Sequence, residues 1–412
     1  MKKRTNDDKV QKKADEKKLH LAKWQKIFVI IVLTLIIVLL CIAVAFFAMR
    51  TSGKRRLYAS VKNEMPDMQG FYTMTDEQTK EEKESETESI SSDNKPSDET
   101  ETVGEDEDES VSVTEQDDQD TDGYVYKDGD IEYNGHVYRY NSDILTFLVL
   151  GIDSNYPVPE VSDNTDYLKG GQSDAIFLAV MNPHDRSISI VAINRNSMVD
   201  IDIYDSNNNY VRTAKSQICV QHGYGDGREM SCERAKKVVS KLMYNLPIHR
   251  YLSMRLGAIS VLNDAMGGVE VTLPTDFPEL NMTAGTTVRL NGEQAFMFLK
   301  FRNQYQFDSA TNRLNNDKVY LSAFMNQVFD QTKSDVTFPL KLYDMVKEYI
   351  LTDISIDEMS YLASELLGYS VKEARMYSVP GQTVMGNKFE EFYVDEYALR
   401  EQILNIFYEI VR

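Results

Sequence analysis

Three apolar runs decide the fold, beginning with ILTFLVLGID at Ile144–Asp153. DAIFLAVMN at Asp174–Asn182 and SISIVAIN at Ser187–Asn194 follow after short intervals. Each run is predominantly apolar, which is typical of a strand buried on both faces. Such a sheet needs helices to cover it. The sequence therefore predicts an α/β fold, an α-β-α layered sandwich around a mixed central sheet.

Helix and turn signals lie on both sides of these runs. Asn134-Gly135, between alternating segments, predicts a β-hairpin with a type I′ turn. Four segments carry helical periodicity or helix-end residues: Ser231–Leu246 with Ser231 as cap, Arg250–Gly268, Asn291–Arg302 with Asn291 as cap, and Asn312–Gln331. GVEVTL predicts a further strand. Residues 322–412 are predicted to be mainly helical, with short strands such as ARMYSV.

The start of the chain predicts a membrane anchor. Residues 1–26 are rich in Lys and Arg, and residues 27–49 carry no charged side chain. At about 1.5 Å per residue this run is long enough for a hydrocarbon core of roughly 30 Å. A buried core helix is usually shorter and has a polar face, and a cleaved signal peptide has a shorter apolar region. We therefore expect a single-pass signal-anchor in the cell membrane, with a cytoplasmic basic tail and an extracytoplasmic remainder.

Residues 50–122 are predicted to be a largely disordered acidic stalk. The part from 79 to 122 contains no aromatic residue and few aliphatic ones, so it cannot bury enough apolar surface to offset the cost of ordering. Much of the formal net charge of −20 lies there. We expect the stalk to let the globular domain, residues 123–412, reach away from the bilayer. In that domain, Cys219 and Cys232 could form a disulfide or remain two buried thiols.

Polar residues stand at the ends of the predicted strands. Asp153 follows the first run, Asp174 opens the second and Arg195 follows the third. Ligands of α/β sheets bind outside the carboxyl ends of strands. Two carboxylates and an arginine there could hold a divalent cation and a phosphate. The alternative is that the acids are turn residues and the arginine lies at the surface.

A second charged cluster occupies FLKFRNQYQFDSATNR. It contains Lys300, Arg302, Asp308 and Arg313. Lys300 and Arg302 would share a side if the backbone there is extended. Basic residues of this kind bind anionic phosphates, although a solvated loop between helices is the alternative.

The ordered blocks from FLVLGID through NRNSMVDI and LNDAMGGVEVTL to FLKFR…D…NRL resemble the LytR-CpsA-Psr family of cell-wall glycopolymer transferases. The resemblance covers about residues 143–321. It implies an extracytoplasmic domain that binds a polyprenyl-pyrophosphate-linked glycan in an apolar pocket. With Mg²⁺, such a domain transfers the glycosyl phosphate to a peptidoglycan hydroxyl. Apolar segments such as GAISVLNDAMGG could line the lipid pocket, with ordinary core packing as the alternative.

The resemblance also implies roles for particular residues. Asp153 and Asp174 match the aspartates of the metal–pyrophosphate site, and Arg195 matches an arginine that contacts pyrophosphate. Arg302, Asp308 and Arg313 match the later charged block; we expect catalytic roles for these three and for Arg195, with Asp308 as a candidate general base.

Several positions depart from the family pattern, and most departures remove basic charge. The departures are Asn155, Gln172, Asn196, Lys300 and the pair Asn316-Asp317. Gln172, Asn196 and Lys300 are still expected to contact substrate. The alternative function is a catalytically reduced relative that binds lipid-linked precursors as a regulator or scaffold of envelope assembly. Nucleic acid is not an expected partner, because the sequence has no helix-turn-helix signal and attraction to the membrane surface explains the basic tail.

Overall fold

A computed structural model describes residues 41, 43–62, 64–68, 125–159, 170–301, 307–335, 337–366, 368–369 and 374–412. The chain divides into two compact units. The first extends to Lys62 and includes Ile354–Tyr369; the second comprises Asn63–Asp353 and Ser370–Arg412. Predictions for the basic tail, for most of the apolar run and for residues 69–124 lie outside the described residues. Within the described ranges, no helix combines the length and apolar character needed to cross a bilayer.

Eight α-helices lie within the described ranges. They are α1 (43–60), α2 (Glu229–Leu242), α3 (Gly257–Ala265), α4 (Gly292–Lys300), α5 (Ser309–Ser334), α6 (Phe338–Val346), α7 (Ile356–Leu366) and α8 (Glu396–Phe407). Short 3-10 helices span Ile218–Tyr224, Pro278–Leu280 and Lys347–Tyr349.

The strands begin with the predicted hairpin and continue almost to the C-terminus. They are β1 (Ile131–Tyr133), β2 (His136–Tyr140), β3 (Leu145–Ile152), β4 (Ser173–Asn182), β5 (Ser187–Ile193), β6 (Met198–Tyr204), β7 (Tyr210–Gln217), β8 (Arg250–Arg255), β9 (Val269–Thr272), β10 (Thr287–Leu290), β11 (Ile350–Thr352), β12 (Arg375–Ser378), β13 (Gly381–Met385), β14 (Glu390–Val394) and β15 (Tyr408–Ile410).

The three apolar runs form the middle of a six-stranded mixed sheet, ordered β11-β8-β3-β4-β5-β12. Strands β3 and β8 are parallel, β4 is antiparallel to β3 and β5, and β12 is parallel to β5. Most residues of β3 and β5 are buried, as expected for strands covered on both faces. The prediction of a mixed α/β fold around a central mixed sheet is therefore confirmed.

Two apolar cores support the sheet and its helices. The larger one joins the central strands to α2 and α8, through side chains such as Ile152, Val239 and Phe407. The smaller one joins α3 to α6 with β9 and β10, and it contains Ile259, Phe298 and other buried residues. Segment GAISVLNDAMGG thus contributes packed core side chains to the second cluster.

Local sequence signals were accurate for the hairpin and for α4. Asn134 and Gly135 have φ values of 51° and 76°, as a type I′ turn requires. Asn291 caps α4 in a capping box, accepting the Gln294 N–H while the Gln294 side chain accepts the Asn291 N–H.

The predicted cap of α2 was wrong. The helix begins at Glu229, so Ser231 lies inside its first turn. The capping acceptor is instead Asp226, whose Oδ1 accepts the N–H groups of Arg228 and Ser231 at 2.8 and 3.2 Å. The Ser231 hydroxyl accepts the N–H of Gly227 at 2.8 Å. The positive φ of Gly227, 72°, turns the chain so that Asp226 reaches the helix start.

The C-terminal region is less helical than predicted. It supplies β11 and β12, strands at opposite ends of the central sheet, and the β13–β14 hairpin. β15 extends the N-terminal hairpin by pairing with β2. The described residues of 322–353 and 374–412 are therefore part of the same unit as the central sheet, whereas Ile354–Tyr369 belongs to the first unit.

Residues 43–60 form a helix, so the first residues of the predicted stalk, 50–60, are helical. In the first unit, Arg50 forms an ion pair with Glu365, and Arg56 lies 3.1 Å from Asp357 on α7. Gly53 allows close approach of the two helices, because a Cβ there would lie 2.1 Å from the Asp357 carbonyl oxygen.

Candidate functional site

Strand directions bring the predicted strand-end residues to one edge of the central sheet. The carboxyl ends of β3, β5 and β8 lie there beside the amino end of β4. We call this edge the rim; it comprises residues 153–155, 172–174, 194–197 and 255. Asp153, Asp174 and Arg195 all belong to the rim, as the positions of the apolar runs predicted.

A tight turn after β5 explains why Arg195 ends that strand. The Asn194 carbonyl oxygen accepts the Ser197 N–H at 3.0 Å and the Ser197 hydroxyl at 2.7 Å. The Asn194 side-chain oxygen accepts the Asn196 N–H at 2.9 Å, as in an Asx turn. Arg195 lies inside this turn, where its backbone leaves the sheet and its side chain is free of the ladder.

Arg195 and Arg313 share the carboxylate of Asp174. Arg195 Nη2 lies 3.1 Å from Asp174 Oδ1, and Arg313 Nη1 lies 3.0 Å from Oδ2. Arg313 Nη2 also donates to the Asp174 carbonyl oxygen at 2.9 Å. The side chains are only 13, 9 and 18 % exposed, in the order Arg195, Arg313, Asp174. Two cations against one anion leave this trio with a net positive charge in a place of low effective dielectric.

Gln172 and Cys219 also contact Arg195. Arg195 Nη2 donates to the Gln172 side-chain oxygen and lies 3.2 Å from Cys219 Sγ. Burial raises the pKa of the Cys219 thiol although Arg195 opposes the shift, so the thiol is neutral at physiological pH.

Cys219 and Cys232 are both free thiols, so the disulfide reading is wrong. Cys219 faces Arg195 from the 3-10 helix before α2. Cys232 lies on the buried face of α2, with its Sγ 3.8 Å from His222 Nε2. The two sulfur atoms therefore belong to different environments.

Some of the buried polar atoms without a hydrogen-bond partner belong to the trio or to residues close to its members along the chain. In the described part of the chain they include Asp174 Oδ1, Arg195 Nε, Asn196 Nδ2 and Asn316 Oδ1. Asp174 Oδ1 has its ion pair with Arg195, but Asn196 and Asn316 are 2 and 4 % exposed and leave those atoms unused. An atom of this kind costs about 1–3 kcal/mol when it stays unpaired, so a polar ligand or water that reached these atoms would be favoured.

Asp317 is a rim-facing acid whose role the sequence did not reveal. It follows Arg313 by one turn of α5 and is buried. Burial raises the pKa of Asp317 to about 7; Arg313 opposes the shift and Asp174 adds to it. A carboxyl group with this pKa exchanges a proton near neutrality. The i, i+4 spacing from Arg313 was the signal that could have identified it.

Lys300 and Asp308 lie away from the trio's described contacts. Lys300 is the last residue of α4, is exposed, and holds its Nζ 5.4 Å from the centroid of the Phe296 ring. An extended backbone, the arrangement considered from the sequence, would place Lys300 and Arg302 on the same side. Lys300 is helical, so the backbone is not extended at that residue. Arg302 lies outside the described residues. Asp308 precedes α5 with a φ of 61° and accepts a hydrogen bond from the Thr383 hydroxyl.

Sequence reasoning also missed Glu390, a β14 residue whose side chain contacts the start of α5. Its carboxylate is buried and accepts the Ser309 N–H and hydroxyl at 3.2 and 3.1 Å. The β13–β14 hairpin thereby anchors the helix that carries Arg313.

The other end of the rim contains Asp153 and Arg255. Asp153 is exposed, donates its N–H to the Gln172 carbonyl oxygen at 3.0 Å, and has no ion pair within the described ranges. Arg255 ends β8 and donates to Ser154 Oγ at 2.9 Å. Arg255 was not among the predicted site residues.

The described donors suit Mg²⁺ only with help from a substrate. Among the residues whose positions are described, no group of three or more His, Cys, Asp or Glu could hold a metal ion. Both oxygens of Asp174 face guanidinium groups, which leaves Asp153 as the rim carboxylate with room for a cation. Mg²⁺ commonly binds one or two carboxylates together with substrate phosphates and water. The residues fit that arrangement and do not fit a cage made by the protein alone.

Comparison with known sequences decides the family. The LytR_cpsA_psr family matches residues 87–406, which is most of the chain. The protein belongs to this family. The resemblance found in the strand-end blocks is thus confirmed.

Individual members of the LytR-CpsA-Psr family are distant from this chain. A polyisoprenyl-teichoic acid–peptidoglycan teichoic acid transferase, TagU of Enterococcus faecalis, is 24% identical over 226 residues, 54% of this chain and 66% of TagU. Biofilm regulatory protein A of Streptococcus mutans is 24% identical over 258 residues, 60% of this chain and 59% of that protein. The chain thus spans slightly less than two thirds of these relatives.

A solved structure shares the fold of this LytR-CpsA-Psr protein. A Streptococcus agalactiae protein, 18% identical, superposes with a TM-score of 0.51 over 64% of this chain and 86% of that one.

Proposed function

We propose that the protein is a membrane-anchored phosphotransferase that moves a glycopolymer from a polyprenyl-pyrophosphate carrier onto peptidoglycan. Its anchor would be the apolar run at residues 27–49, with the rim outside the cytoplasmic membrane. Relatives named as teichoic acid transferases support the reaction class. The protein's own carrier, glycan and acceptor belong to the proposal.

One observation carries the proposal: the cationic trio of Arg195, Asp174 and Arg313. A single buried carboxylate holds two guanidinium groups in place without cancelling their combined charge. Guanidinium groups recognise phosphate oxygens in pairs. Such a preorganised positive site suits a pyrophosphate, whose charge is too dense for an apolar pocket.

The chemistry asks mainly for positioning and charge stabilisation. An acceptor hydroxyl oxygen bonds to the phosphorus next to the sugar, and the bond between that phosphorus and the bridging oxygen breaks. Polyprenyl phosphate leaves with the bridging oxygen. Arg195 and Arg313 stabilise the charge that develops on the phosphate oxygens, and Arg302 is expected to assist them. Mg²⁺, held by Asp153 with phosphate oxygens, would add Lewis-acid stabilisation.

The hydroxyl proton needs an acceptor close to the trio. Asp308 was the candidate from sequence, but its carboxylate already accepts the Thr383 hydroxyl. Asp317 is better suited, because its pKa of about 7 allows it to take a proton at neutral pH. Within this proposal Asp317, one helical turn from Arg313, therefore joins Asp308 as a candidate general base.

The test uses the full chain in detergent with a polyprenyl-pyrophosphate-linked oligosaccharide and peptidoglycan fragments. Release of polyprenyl phosphate is followed over time. We expect Arg195→Ala to lower the rate by roughly 10²–10³-fold, the loss typical of removing one charge-stabilising donor. Arg212→Ala, which removes an exposed arginine of β7, serves as the matched control and should leave the rate unchanged. Equal rates in wild type and Arg195→Ala would contradict the proposal.

A second candidate is a binding protein that regulates or scaffolds envelope assembly. The observation favouring it is that both oxygens of Asp174 are engaged by arginines, while Asn196 offers an amide where the family resemblance implies a carboxylate. The name of one relative, biofilm regulatory protein A, is compatible with such a role. Tight lipid binding without turnover by the wild-type chain, with Mg²⁺ supplied, would select this candidate over the first.

A further inference from the structure

Arg255 is a buried cation whose partners are all neutral in the described structure. It is 8 % exposed and pairs with Ile152 across the parallel β3–β8 ladder. Its Nη1 donates to Ser154 Oγ at 2.9 Å, and its Nη2 donates to the Gly227 carbonyl oxygen at 3.2 Å. A guanidinium has five N–H donors, so only two of them are used by these bonds.

No carboxylate of the described ranges lies within ion-pair distance of Arg255, in contrast to Arg195 and Arg313. Burial lowers the pKa of Arg255, against a small opposing effect of Cys232, but a guanidinium remains charged throughout the physiological range. A buried charge without a counter-ion is unfavourable, and an anion bound beside it would remove that cost.

The backbone keeps the guanidinium closely surrounded on one side. Gly227 has a φ of 72°, and a Cβ there would lie 3.4 Å from Arg255 Nη2 and 3.3 Å from the Gly170 Cα. The 3.4 Å separation is an ordinary van der Waals distance, so the positive φ is what favours glycine at position 227. The Gly227 carbonyl oxygen thus accepts a hydrogen bond from Arg255 at a position whose backbone conformation favours glycine.

Arg255 is also separate from the trio. The sheet order places β8 two strands from β4, which carries Asp174. Neighbouring strands lie about 4.8 Å apart, so the two backbone positions are roughly 10 Å from each other along the rim. Asp153, which directly follows β3, lies between them. The rim thus presents two cationic positions in a row.

We propose that Arg255 forms a second anion subsite, which binds a negatively charged group on the glycan part of the lipid-linked substrate. The inference rests on the proposed function, because the trio must hold the pyrophosphate for the glycan to run along the rim. Arg255 would then select phosphate-bearing glycans over neutral ones.

The test measures binding of two lipids to the full chain in detergent micelles by titration calorimetry. One probe is a polyprenyl-pyrophosphate-linked neutral disaccharide, and the other is the same lipid with one glycerol phosphate on the terminal sugar. We expect wild type to prefer the phosphorylated probe by on the order of tenfold, the size of one charge-assisted hydrogen bond. Arg255→Met should abolish the preference and leave the affinity for the neutral probe unchanged.

Two further variants serve as a control and as an alternative substitution. Arg250→Met removes a cation from the opposite end of β8 and should keep the preference. Arg255→Gln retains amide donors for Ser154, so it replaces Arg255→Met if the latter unfolds, and it should also lose the preference. Equal binding of both probes by wild type overturns the subsite alone. Equal weakening of both probes in Arg255→Gln also overturns it, whereas wild type that binds neither probe overturns the proposed function as well.

Discussion

The arginines at the two ends of the rim differ in whether they have a carboxylate partner. At one end Arg195 and Arg313 share Asp174, and at the other Arg255 bonds only a hydroxyl and a carbonyl oxygen. The shared carboxylate fixes both guanidinium groups before any substrate arrives, so little reorganisation remains for binding. Arg255 lacks this internal anion. Under the proposed function, the first end would act on the pyrophosphate, and the second would sense whether the glycan carries a charged group.

The largest expected effect on stability comes from removing the shared anion. Asp174→Asn leaves two mostly buried guanidinium groups without their carboxylate, which should lower the free energy of unfolding by roughly 3–5 kcal/mol. Urea denaturation followed by circular dichroism measures this. Asp153→Asn, at an exposed rim position, should change it by less than about 0.5 kcal/mol. A similar small effect for Asp174→Asn would mean that the trio does not depend on its carboxylate.

Asp317 should make the stability of the protein depend on pH near the trio. Its folded pKa of about 7 exceeds the unfolded value, so its contribution favours folding at low pH and is lost as the pH rises through 7. Asp317→Asn should therefore be more stable than wild type above pH 7, by up to about 4 kcal/mol, and approach it near pH 4. If Asp317 is the base, transfer should fall in the same variant. Stability curves that stay parallel across this range would show that Asp317 does not titrate there.

Arg255 should affect stability in the opposite sense to Asp174. Because its charge has no described counter-ion, Arg255→Gln should cost less than about 1 kcal/mol, or even stabilise the protein. The measurement is the same denaturation series, with Arg313→Gln as the paired control that should lose several times more. A loss as large as that of the control would show that Arg255 already has an anionic partner within the protein.

The smallest expected effect is at Cys219. Cys219→Ser replaces a neutral thiol beside Arg195 by a hydroxyl of similar size, so transfer should change by less than about threefold, on the order of a 0.6 kcal/mol difference. Alkylation by a bulky reagent should be slow in the folded chain, because the thiol is buried and its pKa is raised. Rapid alkylation at neutral pH would contradict this description.

Features set by neighbouring residues could be predicted from the sequence, whereas contacts between residues far apart in the chain could not. The strands, the Asn134-Gly135 turn and the Asn291 cap follow from neighbouring residues, and the convergence of Asp153, Asp174 and Arg195 follows from strand order. The bond from Arg313 to Asp174 joins residues 139 positions apart. No local pattern encodes such a contact.

The misses have the same origin. Ser231 looked like a cap because the turn at Gly227 that brings in Asp226 is not visible from spacing. Cys219 and Cys232 looked like a pair because their separation along the chain says nothing about the faces they occupy. Arg255 lay in the segment Arg250–Gly268, whose pattern predicted a helix, and only the structure places it at the end of β8 beside Ile152.

The short segment just after α1, residues 64–68, belongs to the second unit. The Asp67 N–H donates to the Tyr244 carbonyl oxygen at 2.6 Å, and Met68 is buried in the same core as Ile131. The chain therefore enters the second unit before the acidic region and is still in it afterwards. A chain shortened within residues 69–124 would therefore keep the contacts that Asp67 and Met68 make in the second unit.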